Sequence, residues 1–188
     1  MKAEERLKDY LEKGIAFEIT FVDRAYALAE EISQHAQQIN KENFGELFGF
    51  LQQLLSDHQT LAVTKLFDPA GNKYATRSIP GTRVLLEKHA ALWGMPGRCG
   101  LTEALVQGGK DASSLERLNN AELTHAVVNH FRDKLPAAGK LRQMRNKVIA
   151  HNEATQLQAQ HMPTWGEALR LTNYAKDFLT TIWHGYLD

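Results

Sequence analysis

The chain has 188 residues, of which 43% are hydrophobic and 23% are charged, with one cysteine and a formal net charge of zero. This length supports one compact domain with a sizeable core, and the composition excludes the disordered and collagen-like classes of protein. A lone cysteine cannot form an internal disulfide or a multi-thiolate metal site, and no apolar run is long enough to cross a bilayer. We therefore expect a single cytoplasmic domain over residues 1–188, with no metal, no cofactor and no membrane association.

Charge is distributed unevenly along the chain. Residues 1–46 carry six basic and ten acidic side chains, whereas residues 132–147 carry six basic side chains and one acidic side chain. The net charge of zero argues against a protein that binds long DNA duplexes, but the basic stretch is where an anionic ligand should bind. A solvated basic helix face is the competing explanation of the same charges.

Apolar residues recur at intervals of three and four along the chain, which predicts an all-α fold. The first predicted helix covers about 2–38, with Gly14 as a candidate hinge. A second helix of about six turns should begin at Asn43 and Glu46, which have the spacing of a capping box, and should end before Pro69. The residues expected on the inner face of the first helix are Leu7, Leu11, Ile19, Val22, Tyr26, Ala29 and Ile32.

The middle of the chain is rich in residues that break helices. Ser78 and Pro80 mark the start of a shorter helix that should end near Trp93. Five glycines and Pro96 then predict an irregular connection over 94–110, with one helical turn at 101–106.

Three pairs of residues have the spacing of a capping box in the rest of the chain. The first two pairs should start a helix that ends at Pro136, and the third should start a C-terminal helix on which Trp165 and Trp183 have core spacing. Between them the pattern predicts a helix over 140–151. The pairs are Ser113 with Glu116, Asn119 with Glu122, and Thr164 with Glu167.

The most informative string is R-N-x-x-x-A-H, which is formed by Arg145, Asn146 and His151. It resembles the signature of the HEPN superfamily, in which four to six residues separate an arginine from a histidine and a polar residue often follows the arginine. Arg83 and His89 have a similar spacing. This second pair lacks the following asparagine and lies outside the basic stretch, so we favour the first pair.

Other segments extend the resemblance to the abortive-infection, AbiU-like branch of that superfamily. They are Leu66-Phe67-Asp68-Pro69 before a serine-initiated helix, Asn152 after the motif, and Pro163-Thr164-Trp165-Gly166-Glu167. The resemblance implies an HEPN-like bundle, with an up-down four-helix core and additional helices. It also implies a homodimeric, metal-independent endoribonuclease of phage defence or of a toxin–antitoxin system, with a cognate antitoxin as a further candidate partner.

The spacing of the motif has a physical consequence. On an ideal helix Arg145 and His151 flank one apolar stripe and lie roughly 9 Å apart along the axis, so they do not meet within one chain. Two copies related by a two-fold axis would bring both pairs, with Asn146, around one groove. There one imidazole can act as general base and the other as general acid, while guanidinium groups stabilise the transition state. The residues expected to bind RNA are Arg142, Lys147, Lys140 and Arg132.

Other interpretations remain open. The main alternative is a non-catalytic HEPN domain that binds a nucleotide or a partner protein. Glu122 and His125 have the E-x-x-H spacing of di-iron bundles, but no second such motif accompanies them. Glu153 stands where a nucleotidyltransferase antitoxin would need a tyrosine, so that mode of control lacks its acceptor. His58, on the apolar face of the second helix, is expected to be a core histidine.

Overall fold

The computed structural model describes residues 2–71, 76–136 and 164–188. All regular elements of this part of the chain are helical, which confirms the all-α prediction. No helix among the described residues is long and apolar enough to span a membrane. The α-helices are α1 (Ala3–Tyr10), α2 (Phe17–Gln34), α3 (Ala36–Lys41), α4 (Gly45–Leu66), α5 (Ile79–Lys88), α6 (Arg98–Gln107), α7 (Ala112–Glu116), α8 (Asn120–Asp133) and α9 (Trp165–Tyr186), with a π-helical turn at Leu11–Ala16 and a 3-10 turn at Ala90–Leu92.

The chain forms two compact units. The first comprises Met1–Ala16, Leu66–Ala137 and Asn173–Asp188, and the second comprises Phe17–Lys65 and Ala138–Thr172. In the first unit α5 contacts α1 and α8, and α6 contacts α7 and α8. In the second unit α2 contacts α3. Buried side chains of the first unit include Leu7, Ile79, Leu86, Leu101, Leu123 and Phe178, and those of the second include Ile19, Val22, Ala62, Val63 and Leu171.

The N-terminal helical region contains the π-helical turn Leu11–Ala16 between α1 and α2. A Cβ atom on Gly14, in this turn, would lie only 2.5 Å from the carbonyl oxygen of Arg77, so the close approach of Arg77 requires a glycine there. Six of the seven residues expected on the inner face are buried. The exception is Tyr26, which is 40% exposed, so the prediction for this residue was wrong.

Asn43 ends α3 rather than starting α4. Its φ angle is 63°, and the N–H groups of Asn43 and Phe44 donate to the carbonyl oxygens of Asn40 and Ile39. These are the two hydrogen bonds of a Schellman motif, in which asparagine is an accepted left-handed residue. The capping box expected at Asn43 was therefore wrong, because an N-cap residue needs an extended backbone.

The buried part of α4 is its C-terminal half. Val63 and Leu66 are fully buried, whereas Phe44, just before the helix, and Leu47, in its first turn, are more than half exposed. His58 is also exposed. The predicted helix of about six turns is confirmed, but the expected burial of its first half and of His58 was wrong, because periodicity marks an apolar stripe and not how much of it is covered.

Ser78 caps α5 as predicted. Its hydroxyl accepts a hydrogen bond from the N–H of Gly81 at 3.1 Å and donates one to the carbonyl oxygen of Asp68 at 2.7 Å. The side chain is completely buried. One hydroxyl group thus satisfies an orphan donor of the helix and fixes the preceding loop.

Helix α6 occupies most of the predicted irregular connection over 94–110. Leu101 on this helix is fully buried. A Cβ atom on Gly97 would overlap the backbone of His184, and one on Gly185 would overlap the side chain of Leu101. Two of the glycines in and around this region therefore permit close packing, which is why reading glycine as a mark of irregular structure was wrong.

Helix α7 is capped by Asp111. The Asp111 carboxylate accepts hydrogen bonds from the backbone N–H of Ser114 at 2.9 Å and from the hydroxyl of Ser113 at 2.6 Å. These bonds hold the pKa of Asp111 below its ordinary value. The capping box expected at Ser113 and Glu116 was therefore wrong, since Asp111 is the N-cap residue.

The other two predicted capping boxes are confirmed. At the start of α8, the N–H of Glu122 donates to the side chain of Asn119 at 3.0 Å, and the N–H of Asn119 donates back to the Glu122 carboxylate at 2.8 Å. At the start of α9, the N–H of Glu167 donates to the Thr164 hydroxyl at 3.2 Å, and the N–H of Thr164 donates back at 2.8 Å. These boxes fix the two helices that flank the motif segment in the sequence.

Candidate nucleic-acid interface

The residues expected at the functional site fall into two groups. Arg132 lies at the end of α8 and is described by the structure. The others lie outside the described residues, so their assignment remains a prediction. They are Arg145, His151 and Asn146 of the motif, and Arg142, Lys147 and Lys140 of the basic stretch.

The Arg132 side chain is exposed and only weakly paired. Its Nε atom lies 3.7 Å from the Asp133 carboxylate, and the side chains of these residues are 53% and 73% exposed. An exposed pair of this geometry contributes little, because water competes for both charges. The guanidinium group of Arg132 is thus available to another anion, while its place in the last turn of α8 also offsets the helix dipole.

A groove of about 440 Å³ lies along the C-terminal turn of α8; we call it the α8 groove. His130 and Lys134 line its α8 side, and Asp177, Thr180 and Thr181 of α9 line the opposite side. Lysine, imidazole and hydroxyl groups are all donors that phosphate oxygens accept. The single carboxylate of Asp177 opposes an anion in the groove.

The surroundings of the His130 imidazole favour its neutral form. Burial lowers the pKa of His130 below its ordinary value, and the positive charges of Lys134 and Lys110 lower it further, while Asp133 acts in the opposite direction. Gly108 leaves room for the ring, because a Cβ atom there would overlap it. A neutral imidazole offers one donor and one acceptor, so His130 can bind a ligand without carrying charge.

The floor of the α8 groove is rigid. The hydroxyl of Tyr174 donates a hydrogen bond to the carbonyl oxygen of Phe131. The Phe131 ring packs edge-on against Tyr174 and against Phe178, with centroids 5.9 and 5.0 Å apart. Burial raises the pKa of Tyr174 to about 12, against a smaller opposite effect of Arg83. Tyr174 therefore serves as a neutral, fixed donor.

His130 and Lys134 were not assigned to the site from the sequence. The signal was present, because residues four apart lie on one face of a helix. Lys134 was counted only as one charge of the basic stretch. His130 was treated only as part of a helix pattern.

The second arginine–histidine pair lies in a packed environment. His89 ends α5, and its ring lies edge-on to that of Trp93, with centroids 6.3 Å apart. The indole N–H of Trp93 donates to the carbonyl oxygen of Leu86 at 3.0 Å. The Nε atom of Arg83 is buried without a hydrogen-bond partner among the described residues. The contact with Trp93 gives His89 a structural role, while the choice of Arg145 and His151 remains a prediction.

A family model for AbiU2, of the HEPN class, matches residues 4–188. The chain belongs to the AbiU2 family. This membership confirms the resemblance drawn from the R-N-x-x-x-A-H string and identifies an abortive-infection HEPN protein. Neither a curated protein nor a solved structure matches the chain.

Within the described part of this AbiU2-family chain, no three metal-ligating side chains come together. The Glu122 carboxylate is used in the capping box of α8, and His125 is exposed. The thiol of Cys99 is hydrogen-bonded to the Glu103 carboxylate at 3.4 Å, which raises the pKa of Cys99 and disfavours the thiolate. Glu122 and His125 therefore do not have the surroundings of a metal site, and Cys99 does not have those of a nucleophile.

Proposed function

We propose that this AbiU2-family protein is a metal-independent endoribonuclease that acts in phage defence or in a toxin–antitoxin system. The observation that carries the proposal is the R-N-x-x-x-A-H string, in a chain that belongs to a HEPN family over residues 4–188. The accessible cations Arg132 and Lys134 precede that string in the sequence, and they support an anionic polymer as the ligand.

The proposed reaction needs only side chains of this protein. One His151 removes the proton of a ribose 2′-hydroxyl, and the 2′-oxygen attacks the adjacent phosphorus. The bond from phosphorus to the 5′-oxygen breaks, and a second His151 gives that oxygen a proton. The products carry a 2′,3′-cyclic phosphate and a 5′-hydroxyl. Histidine suits both steps because its ordinary pKa lies near neutral pH.

The proposed site is shared by two copies of the chain. Each copy contributes one His151 and one Arg145, whose guanidinium groups offset the extra negative charge on the phosphorane. Asn146 orients either the phosphate or a histidine. The cations at the end of α8, together with Lys140, Arg142 and Lys147, hold the phosphates on either side of the cleaved bond.

A chelator experiment tests this proposal. Purified protein is incubated with a single-stranded RNA in the presence of EDTA, and the ends of the fragments are analysed. We expect cleavage to persist and to leave cyclic phosphates. Strict dependence on added magnesium would contradict the proposed chemistry. RNA binding without any cleavage would instead favour a non-catalytic HEPN domain.

A further inference from the structure

A second cavity, of about 580 Å³, lies within the second unit, and we call it the Tyr26 cavity. Side chains of α2 and α4 and the first residue of α9 line it. Its volume falls within the range of roughly 300–1,000 Å³ that is typical of sites for small ligands. The residues that matter below are Tyr26, Glu30, Ser33, Gly49, Gln52, Gln53 and Trp165.

Two aromatic rings at this cavity are exposed. The side chains of Tyr26 and Trp165 are 40% and 45% exposed, although both have the spacing of core residues in the sequence. Their ring centroids are 5.9 Å apart, at an interplanar angle of 69°. Exposed aromatic faces beside a concave surface are the surfaces on which planar groups stack.

Gly49 borders the Tyr26 cavity and places no side chain in it. This residue lies inside α4 and lines the cavity, and a Cβ atom built on it would meet no other atom within 4 Å. Glycine is disfavoured inside a helix relative to alanine, because it gains more conformational freedom on unfolding. Close packing therefore does not explain this glycine, and a large side chain at this position would enter the space of the cavity.

The hydrogen bonds of the cavity leave acceptor atoms for a ligand. The Ser33 hydroxyl donates to the carbonyl oxygen of Ala29 at 2.9 Å, and the Nε2 amide of Gln52 donates to Ser33 at 3.2 Å. The Nε2 amide of Gln53 donates to the Asp57 carboxylate at 2.8 Å. Because these bonds use one N–H of each amide, the Oε1 atoms of Gln52 and Gln53 remain as acceptors, beside the second N–H of each amide.

The Tyr26 cavity carries a negative charge in addition to its hydrogen-bond acceptors. Of the described side chains that line it, Glu30 alone is charged. A carboxylate accepts hydrogen bonds and donates none at neutral pH, and it repels phosphate. The group that enters this cavity should therefore be planar and present N–H donors, with its phosphates outside.

We propose that the Tyr26 cavity binds an unpaired guanine base of RNA, a proposal that rests on the ribonuclease function proposed above. The purine stacks on the face of one of the two rings and contacts the edge of the other, since the planes of Tyr26 and Trp165 are inclined at 69°. Its N1–H and its N2 amino group donate to the Glu30 carboxylate and to the glutamine oxygens. Guanine is the RNA base with two adjacent donors on its Watson–Crick edge, while the other bases place an acceptor beside a donor.

Binding can be measured separately from cleavage. The probes are short single-stranded oligonucleotides with 2′-O-methyl riboses, which lack the nucleophile for cleavage, and fluorescence anisotropy gives their affinities. One probe contains a single guanine, a second has inosine in its place, and a third has adenine. We expect the guanine probe to bind about tenfold more tightly than the inosine probe, which lacks the N2 donor.

Matched variants locate the binding in the cavity. Gly49→Leu fills the open space, and Gly100→Leu is its control, because a Cβ atom on Gly100 also meets nothing within 4 Å. Glu30→Gln replaces the carboxylate, and Glu31→Gln is the control for charge on the same helix. We expect Gly49→Leu to lower the affinity for the guanine probe about tenfold. We expect Glu30→Gln to give the guanine and inosine probes equal affinities. Melting temperatures verify that each variant is folded.

The possible outcomes separate the two proposals. Equal affinities of the parent protein for all three probes, or a guanine preference that survives Gly49→Leu, would overturn the base-binding proposal. The same holds if spermidine occupies the cavity and no probe is discriminated, since the ligand would then be an organic cation. Guanine-dependent binding by a protein that cleaves no RNA would reject the nuclease and keep the base site. Cleavage of RNA without any guanine preference would reject the base site and keep the nuclease.

Discussion

Gly108 and His130 pack in direct contact, and a Cβ atom on Gly108 would overlap the imidazole ring. The ring is thereby held between the loop after α6 and the last turn of α8. This contact partly buries the imidazole and keeps it near two lysines, which together lower the pKa of His130. The electrostatic state of the α8 groove is therefore set by packing as well as by charge.

The first prediction concerns this pKa. Lys134→Met should raise the pKa of His130, Lys110→Met should raise it by less, and Asp133→Asn should lower it, because the three charges act in that order and with those signs. An NMR titration of the imidazole protons gives each value. An unchanged pKa in Lys134→Met would show that the ammonium group does not reach the ring.

The same shift affects stability. The unfolded chain takes up a proton at this histidine near pH 6.5, while the folded state resists protonation until a lower pH. This contribution to the free energy of unfolding is therefore present above about pH 6.5 and is lost as the pH falls through the folded pKa. Urea unfolding of the parent protein and of His130→Asn at about pH 7.5 and pH 5.5 would measure it. The parent should lose more stability on acidification than the variant.

The second prediction concerns Arg132 and Lys134, the two cations at the end of α8. Arg132→Ala and Lys134→Ala should each weaken binding to all single-stranded RNA sequences alike. Each should also reduce the slope of log affinity against log salt concentration by about 0.7, the value for one phosphate contact. Lys88→Ala, which removes an exposed cation at the end of α5, is the control. A salt slope that stays constant in both variants would remove the end of α8 from the RNA interface.

The third prediction concerns Ser78. Ser78→Ala should lower the free energy of unfolding by about 1–3 kcal/mol, because it removes the N-cap of α5 and a buried hydrogen bond to the Asp68 carbonyl oxygen. Ser113→Ala, at an exposed serine that is not an N-cap residue, should change it by less than about 0.5 kcal/mol. Denaturant unfolding compares the two variants. Similar losses in both would contradict the capping role of Ser78.

Local signals in the sequence predicted the helix starts at Ser78, Asn119 and Thr164 correctly, and those at Asn43 and Ser113 wrongly. The pairs Asn119 with Glu122 and Thr164 with Glu167 form their capping boxes because both partners lie within one turn of chain. Asn43 was assigned wrongly by the same reasoning. Its neighbours allow either an N-cap or a C-terminal cap, and only the backbone of the folded chain decides between them.

Packing between segments that are distant in the sequence could not be predicted from local patterns. The glycines around α6 suggest a loop in isolation, but Gly97 meets His184 in the folded chain and so permits a helix to pack there. Tyr26 and Trp165 have the period of a core stripe, yet they border a cavity instead. Periodicity identifies which face of a helix is apolar, and it does not reveal whether that face meets protein or a ligand.

The fourth prediction concerns the oligomeric state. On the helix that the sequence predicts over 140–151, roughly 9 Å along the axis would separate Arg145 from His151, so a compact site would require two copies of the chain. We expect a two-fold dimer in solution, which light scattering would detect at micromolar concentration. A monomer with full ribonuclease activity would contradict the shared site.

The last prediction distinguishes the two arginine–histidine pairs. His151→Ala should lower the rate of RNA cleavage by roughly 100-fold or more, because it removes the general acid and base together. His89→Ala should leave the rate of cleavage near that of the parent, since the His89 ring packs against Trp93. Circular dichroism and the mass of the dimer serve as controls for folding.

Variants of the two neighbouring residues refine this test. Arg145→Lys should also be poorly tolerated, because an ammonium group lacks the planar fork that spans two phosphate oxygens. Asn146→Ala should be milder, because an amide orients groups without neutralising charge. Turnover of one RNA by all four variants gives the comparison. Full activity of His151→Ala would refute the ribonuclease proposal, whereas a selective loss in His89→Ala would transfer the catalytic role to the pair Arg83 and His89.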